Sequence, residues 1–216
     1  TSYLHAIPGG MPATQLRTLT TFRLGPAIAV FLLLSAIAHF VTVMPHVFEW
    51  YKINLNHGIN YIRWYEYALS SSVMIVIIAE LSGMYDLSST LMIFALNAAM
   101  NFFGLLMELL HQATHHTNWT PFIFGCIIGA VPWVVICLYF FNAAASATGT
   151  IPSFVYYILG TIFVFFNCFA VNMVLQYRKV GRWHDYIFGE RVYILLSLVA
   201  KSALAWQIFF GAIARN

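Results

Sequence analysis

An all-α fold, a polytopic transmembrane helical bundle, follows from three properties of the sequence. Hydrophobic residues make up 61% of the chain and charged residues only 8%, against roughly 25% charge in soluble domains. The mean hydropathy is +0.80. The apolar residues gather into six runs, each near the ~20 residues a helix needs to cross the ~30 Å hydrocarbon layer. Little chain remains from which a soluble domain could be built.

The elements are expected in this order. Residues 1–22 (TSYLHAIPGGMPATQLRTLTTF) carry Pro-Gly-Gly and Met-Pro turn signals and too few apolar residues to span a bilayer. Arg17 and Arg23 follow no hydrophobic core of the signal-peptide kind, so this stretch is expected to be an extracellular loop segment ahead of a bundle over 23–216. The first span, 24–44, contains no charge. The second, 62–83, opens with Arg63 and Glu66 among aromatics, and the third, 87–110, holds Glu108 near its end. The fourth and fifth, 121–141 and 152–177, each start at a proline and contain no charge, and the sixth, 192–213, contains only Lys201. Cys126, Cys137 and Cys168 all fall within apolar runs, odd in number and without metal-ligand spacing, and read as packing residues.

Basic residues orient the spans. The loops after the first and fifth spans hold Lys52, Arg178, Lys179 and Arg182, with Arg63 and Arg191 at adjoining helix ends, while the other side holds Arg17, Arg23, Arg215 and the acidic Asp86. Positive-inside bias places the Lys52 and Arg178 loops in the cytoplasm and both chain ends outside the cell membrane. The net charge of +3 reflects this bias and gives no argument for nucleic acid. The chain opens on Thr1 and enters its first span from the non-cytoplasmic side without a targeting segment, so a preceding helix is expected.

Lys201 is the residue that most constrains function. An ammonium in the middle of a span costs roughly 2.5–3.5 kcal/mol on insertion scales, so it is normally paired, neutralised or used covalently. A lysine in an apolar pocket also reacts with aldehydes to form a Schiff base. A competing reading has it bonding helix carbonyls or snorkelling to an interface. Its best partner is Glu66: counted from the cytoplasmic ends of their helices, Glu66 lies about seven residues in and Lys201 about ten, a similar depth at ~1.5 Å per residue. The competing reading of Glu66 pairs it with Arg63, three positions earlier on the same helical face. Ser70 and Met74 follow Glu66 at one and two turns, and Ser197 precedes Lys201 by one turn, which would build a hydrogen-bonded pocket. Transmembrane serines also commonly serve packing or bond back to their own helix.

Four segments, RWYEYALSSSVM (63–74), FLLLSAIAHF (31–40), PFIFGC (121–126) and SLVAKSALAW (197–206), resemble those of the heliorhodopsins, a distant branch of the retinal-binding microbial rhodopsins. The resemblance covers essentially the whole chain. It implies a rhodopsin-like bundle in which Lys201 carries all-trans retinal as a protonated Schiff base and Glu66 is the counterion, with Ser197 where ordinary microbial rhodopsins usually have a second carboxylate. The family has seven helices with a cytoplasmic N-terminus and an extracellular C-terminus. The six spans would then be the second to seventh helices, residues 1–22 part of the long first extracellular loop, and the first helix absent. The resemblance also implies a homodimer in membrane lipid; a signalling partner is expected but not identified.

Retinal needs a cylinder of apolar and aromatic side chains with one charged end. Tyr67, Ser70 and Met74 on the second span, Phe94, Asn97, Met100 and Asn101 on the third, and Phe163, Phe165 and Phe166 on the fifth are candidates to line it. A light-driven proton pump needs ionisable groups on both sides of the chromophore. Here Ile77 and Ile78 stand where a proton donor would help and Glu80 lies near the extracellular end, while Ser35 and His39 offer a region that accepts a released proton locally. A light sensor with a slow, regulatory cycle is therefore expected, rather than a pump or an enzyme. Two other classes compete. An ion transporter would use Lys201 and Glu66 in its path, and would need more charges facing the same lumen. A membrane di-iron enzyme would use Glu108, His111, His115 and His116, which resemble one histidine box. Such enzymes need several boxes, and the other histidines are single and scattered, so this cluster reads as a solvated cytoplasmic loop with at most opportunistic zinc binding.

Overall fold

The computed structural model describes residues 2–5, 13–16, 23–146 and 152–213. Seven α-helices follow one another: α1 (Leu24–Thr42), α2 (Pro45–Asn56), α3 (Tyr61–Leu81), α4 (Leu87–Thr114), α5 (Thr120–Ser146), α6 (Ser153–Tyr177) and α7 (Tyr186–Ile208). A 3-10 turn, Gly181–His184, precedes α7, and a π-helical turn, Phe209–Ile213, continues it. All the helices except α2 are long and apolar enough to cross a membrane, which makes this a multi-pass membrane protein.

Local sequence sets the helix ends. The Asn60 side chain accepts from Arg63 N at the start of α3, Asp86 accepts from Ser89 N at the start of α4, and Asp185 accepts from Ile187 N at the start of α7. Each satisfies one of the amide groups that a helix start leaves unpaired. α4 ends where His115 adopts a left-handed conformation with φ 56°.

The bundle is organised around α3, which packs against α1, α4, α5 and α6. Met74, Ile75, Ile77 and Ile78 of α3 meet Phe31, Ile93, Ile136, Ile158, Ile162, Leu204 and Ile208 in one buried cluster. A second cluster gathers Ile59, Trp64, Tyr67, Leu105, Met107, Met173 and Tyr193. Glu66 and Ser70 lie at the junction of the two along α3. Lipid is as apolar as these side chains, so close packing and interhelical hydrogen bonds hold the helices together. Gly104 and Gly129 show the packing: a Cβ at either would overlap Trp64 or Met100, respectively. Leu33, Ile37 and Phe40 on α1 and Leu195 and Leu198 on α7 are exposed, as lipid-facing residues are.

Four features differ from the sequence-based expectations. Residues 45–56 form the helix α2, whose short apolar face sits inside an otherwise polar stretch. α7 begins at Tyr186 and not at 192, because Glu190 is buried within the bundle and does not mark a solvated end. α4 runs to Thr114, which places His111 on the helix. Within the N-terminal stretch expected to be a loop, Ser2–His5 and Ala13–Leu16 pair as a short antiparallel ladder, with Ser2 opposite Leu16 and His5 opposite Ala13. The Pro-Gly-Gly and Met-Pro turns, Arg17 and Arg215 lie outside the described residues.

Candidate functional site

Three helices converge on Lys201. Its Nζ donates to Glu66 Oε1 at 2.6 Å and to Ser35 Oγ, and Ser35 Oγ donates to the same Glu66 oxygen at 2.6 Å. α7, α3 and α1 thus contribute one residue each to a closed hydrogen-bonded triangle. The Lys201 and Glu66 side chains are only 7% and 8% exposed, so neither charge is met by bulk solvent and each depends on the other. The ring centre of Tyr67 lies 5.4 Å from Lys201 Nζ, within reach of a cation–π interaction. The alternatives of a snorkelling Lys201 and of an Arg63–Glu66 pair are both set aside, since Arg63 turns away from Glu66 toward α4 and α7.

Lys201 also lines a cavity of about 400 Å³, within the roughly 300–1,000 Å³ of small-molecule sites. α3 contributes Trp64, Tyr67, Ser70, Ser71 and Met74 to its wall, α4 contributes Met100 and Asn101, and α7 contributes Tyr193, Ser197 and Ala200. Gly125, Gly129 and Trp133 of α5 and Phe163, Phe166 and Phe169 of α6 are among the other residues that line it. The Trp133 ring meets Phe163 and Phe166 edge-on, with centroids 5.2 and 5.5 Å apart. The wall is therefore largely apolar and aromatic, with the Lys201 amine as its charged feature. Two further polar atoms of the lining, Ser70 Oγ and Tyr193 OH, are buried without a hydrogen-bond partner.

Of the wall residues expected from sequence, Tyr67, Ser70, Met74, Met100, Asn101, Phe163, Phe166 and Ser197 border this cavity. Asn97, Phe94 and Phe165 do not. Asn97 lies behind the wall, where its Nδ2 donates to Ser71 Oγ at 2.7 Å and Ser72 Oγ at 3.1 Å, so it joins α4 to α3 and steadies Ser71. Phe165 packs instead against the buried aliphatic cluster.

His39 takes no part in the triangle. It borders a second, small cavity of about 30 Å³ that Glu66, Ser197, Tyr51, Asn60 and Arg63 also line. A water needs about 10–15 Å³, so this cavity has room for water.

Beyond this small cavity lies a group of residues that the sequence reading missed. Arg63, Glu108 and Glu190 are buried together. Arg63 Nη2 donates to Glu108 Oε1 and Nε donates to Glu190 Oε2 at 3.0 Å. Glu108 also accepts from Trp64 Nε1 at 2.6 Å and Asn60 N at 3.1 Å, and Asn60 Nδ2 donates to Glu190 at 2.7 Å. The rings of Trp64 and Tyr193 flank the guanidinium at 4.2 and 4.1 Å. The available signal was the occurrence of Glu108 within, and Glu190 beside, apolar runs long enough to span, since such charges face a bundle interior.

The same network corrects the reading of the histidine stretch. Glu108 belongs to a buried ion pair and not to a solvated loop. His111 is half-buried, with its ring edge-on to Tyr177 at 5.4 Å, while His115 and His116 are exposed. Among the described residues no three His, Cys, Asp or Glu side chains are placed to hold a metal ion.

Comparison with protein families finds that the model described as heliorhodopsin matches residues 1–213. The search of curated proteins finds no match to the chain.

Proposed function

The chain belongs to the heliorhodopsin family, and from that membership we propose that it is a light-sensing retinal protein whose chromophore is all-trans retinal held covalently by Lys201. The observation that carries this reading is the joining of the Lys201–Glu66–Ser35 triangle to a largely apolar cavity of about 400 Å³. The residues present suit such a group: one amine at the wall, aromatic side chains along it and a carboxylate in contact with the nitrogen. Retinal bound there supplies light absorption and photoisomerisation.

The chain's own residues supply the rest. Glu66 is the counterion that keeps positive charge on the Lys201 nitrogen. Ser35 holds the Glu66 oxygen that faces this nitrogen, so the carboxylate is oriented before light arrives. Tyr67, Trp133 and Phe166 confine the elongated ligand and exclude water from it. When the positive charge at Lys201 is lost, the proton stays close by, in the region of Ser35, Glu66 and His39, where the small cavity has room for water. No ionisable chain continues along α3 toward its far end, because Ile77 and Ile78 are fully buried apolar residues. A regulatory cycle without ion pumping suits this arrangement better than transport. The charge change at Glu66 would shift helices that a signalling partner reads. The protein would act in the cell membrane, as a homodimer in lipid, with the Lys52 and Arg178 loops cytoplasmic and residues 1–22 and the C-terminus outside.

The test is a visible spectrum of the chain incubated with all-trans retinal, followed by illumination with the same sample in vesicles while external pH is recorded. A hydroxylamine-sensitive band without sustained proton movement is expected. Sustained, protonophore-sensitive pH change would replace the sensor by a pump.

A further inference from the structure

The buried cluster at the start of α3 carries unequal charge: one guanidinium faces two carboxylates. The side chains of Arg63, Glu108 and Glu190 are each no more than 4% exposed. With all three ionised, a net negative charge would remain in a space with little access to water, which burial penalises heavily.

The two carboxylates are not equally served. Glu108 accepts from Asn60 N, Arg63 Nη2, Trp64 Nε1 and Tyr186 OH, so both its oxygens meet donors. Glu190 Oε2 accepts from Asn60 Nδ2 and Arg63 Nε. Glu190 Oε1 lies 3.0 Å from Arg63 Nη2 yet receives no aligned hydrogen bond. Both carboxylates thus face the same guanidinium, and two buried acids in one site lower their repulsion by sharing a proton.

We propose that the Glu108–Glu190 pair shares one proton in the resting protein, so that the two together carry the single negative charge that Arg63 balances, and the cluster is a proton-binding site separate from the Lys201–Glu66 pair. The proposal does not depend on retinal being bound. The other titratable groups facing the cluster do not remove the imbalance. Tyr51 of α2 approaches through Asn60 at 3.3 Å, Tyr186 and Tyr193 of α7 touch Glu108 and Arg63, and Tyr177 of α6 abuts His111. Tyrosines are neutral at ordinary pH. Lys201 is engaged by Glu66. Two imidazoles lie near the cluster: His111, one turn beyond Glu108 on α4 with its Nδ1 buried and unpartnered, and His39, which borders the small cavity beside Arg63. The small cavity shared by His39, Glu66, Asn60 and Arg63 lies between the two sites.

The experiment is infrared spectroscopy of the full chain in lipid vesicles, in the dark, with glutamates carrying carbon-13 in the carboxyl group. A carbonyl-stretch band of a protonated glutamic acid, displaced by the label, is expected. Glu190→Gln and Glu108→Gln should each abolish it, because either leaves one carboxylate with Arg63, whereas His111→Gln and Glu66→Gln should leave it in place. Absence of the band from the unmodified protein overturns the proposal without any variant. A band that survives both glutamine variants, or one that appears only in His111→Gln, does so too. Should a glutamine variant fail to fold, Glu190→Asp and Glu108→Asp, which keep both charges, must between them shift or remove the labelled band, and a band unchanged in both overturns the proposal.

Discussion

Lys201 Nζ and Glu66 Oε1 lie 2.6 Å apart across the bundle, although 135 positions separate them in the chain. Ser35 touches both partners, so a third helix fixes the pair. Their mutual dependence in a buried setting generates most of what can be tested.

Glu66→Gln keeps the shape of the side chain and removes its charge. With retinal bound, the visible band is expected to move to longer wavelength, because positive charge on the Lys201 nitrogen is no longer held in place by a facing carboxylate. The alkaline bleaching of colour is expected to start about 1–3 pH units lower, the usual effect of removing an opposite charge within contact distance. A pH titration of the spectrum checks both, and an unchanged titration would assign the counterion role to another residue.

Ser35→Ala removes the hydroxyl that bridges α1 to the pair and leaves both charges. The same spectral changes are expected with the same sign and smaller size than in Glu66→Gln. A band identical to that of the unmodified protein would mean that Ser35 does not orient Glu66.

Much of this site was legible in the sequence. Lys201 is the only charge in its span and Glu66 sits at comparable depth in another, so each required the other. The competing pairing of Arg63 with Glu66 could not be dismissed from sequence, for a physical reason. Three positions before Glu66, Arg63 had a partner available on its own helix, whereas its true partners are 45 and 127 positions away on α4 and α7. Local spacing cannot rank such contacts. Glu190 escaped notice because the Glu190-Arg191 pair resembles a solvated helix end. Asn97 was a candidate for the cavity wall along with Phe94, Met100 and Asn101 of the same span, and the structure gives it to Ser71 and Ser72 instead.

Arg63→Gln takes away the cation that faces two buried carboxylates. Stability is expected to fall by about 3–5 kcal/mol at neutral pH, the usual cost of leaving a buried charge unpaired. The loss is expected to shrink in mild acid, where the remaining carboxylate takes a proton and the uncompensated charge disappears. Thermal unfolding at two pH values measures it. A loss that grows in acid would contradict the charge assignment.

At the start of α4, the Ser89 backbone N–H and hydroxyl each donate to Asp86 Oδ2 at 2.9 Å. These bonds hold the Asp86 carboxyl below the usual carboxylate range. A group depressed in the folded state stabilises above its unfolded pKa and loses that contribution as pH falls through its folded one. Asp86→Ala is therefore expected to destabilise the first turn of α4 by about 0.5–2 kcal/mol at neutral pH and by less in strong acid. Amide hydrogen exchange at Ser89 and Thr90 reads this directly, and equal protection in the variant and the parent at neutral pH would remove the capping role.

The most direct test of the central claim is a visible absorption spectrum of the chain and of Lys201→Ala, each reconstituted with all-trans retinal, before and after hydroxylamine under illumination. The account predicts a visible band in the parent that hydroxylamine bleaches, and a helical, membrane-inserted Lys201→Ala protein with no covalent colour. A well-folded parent that stays colourless, or a Lys201→Ala variant that keeps the bleachable band, would contradict it.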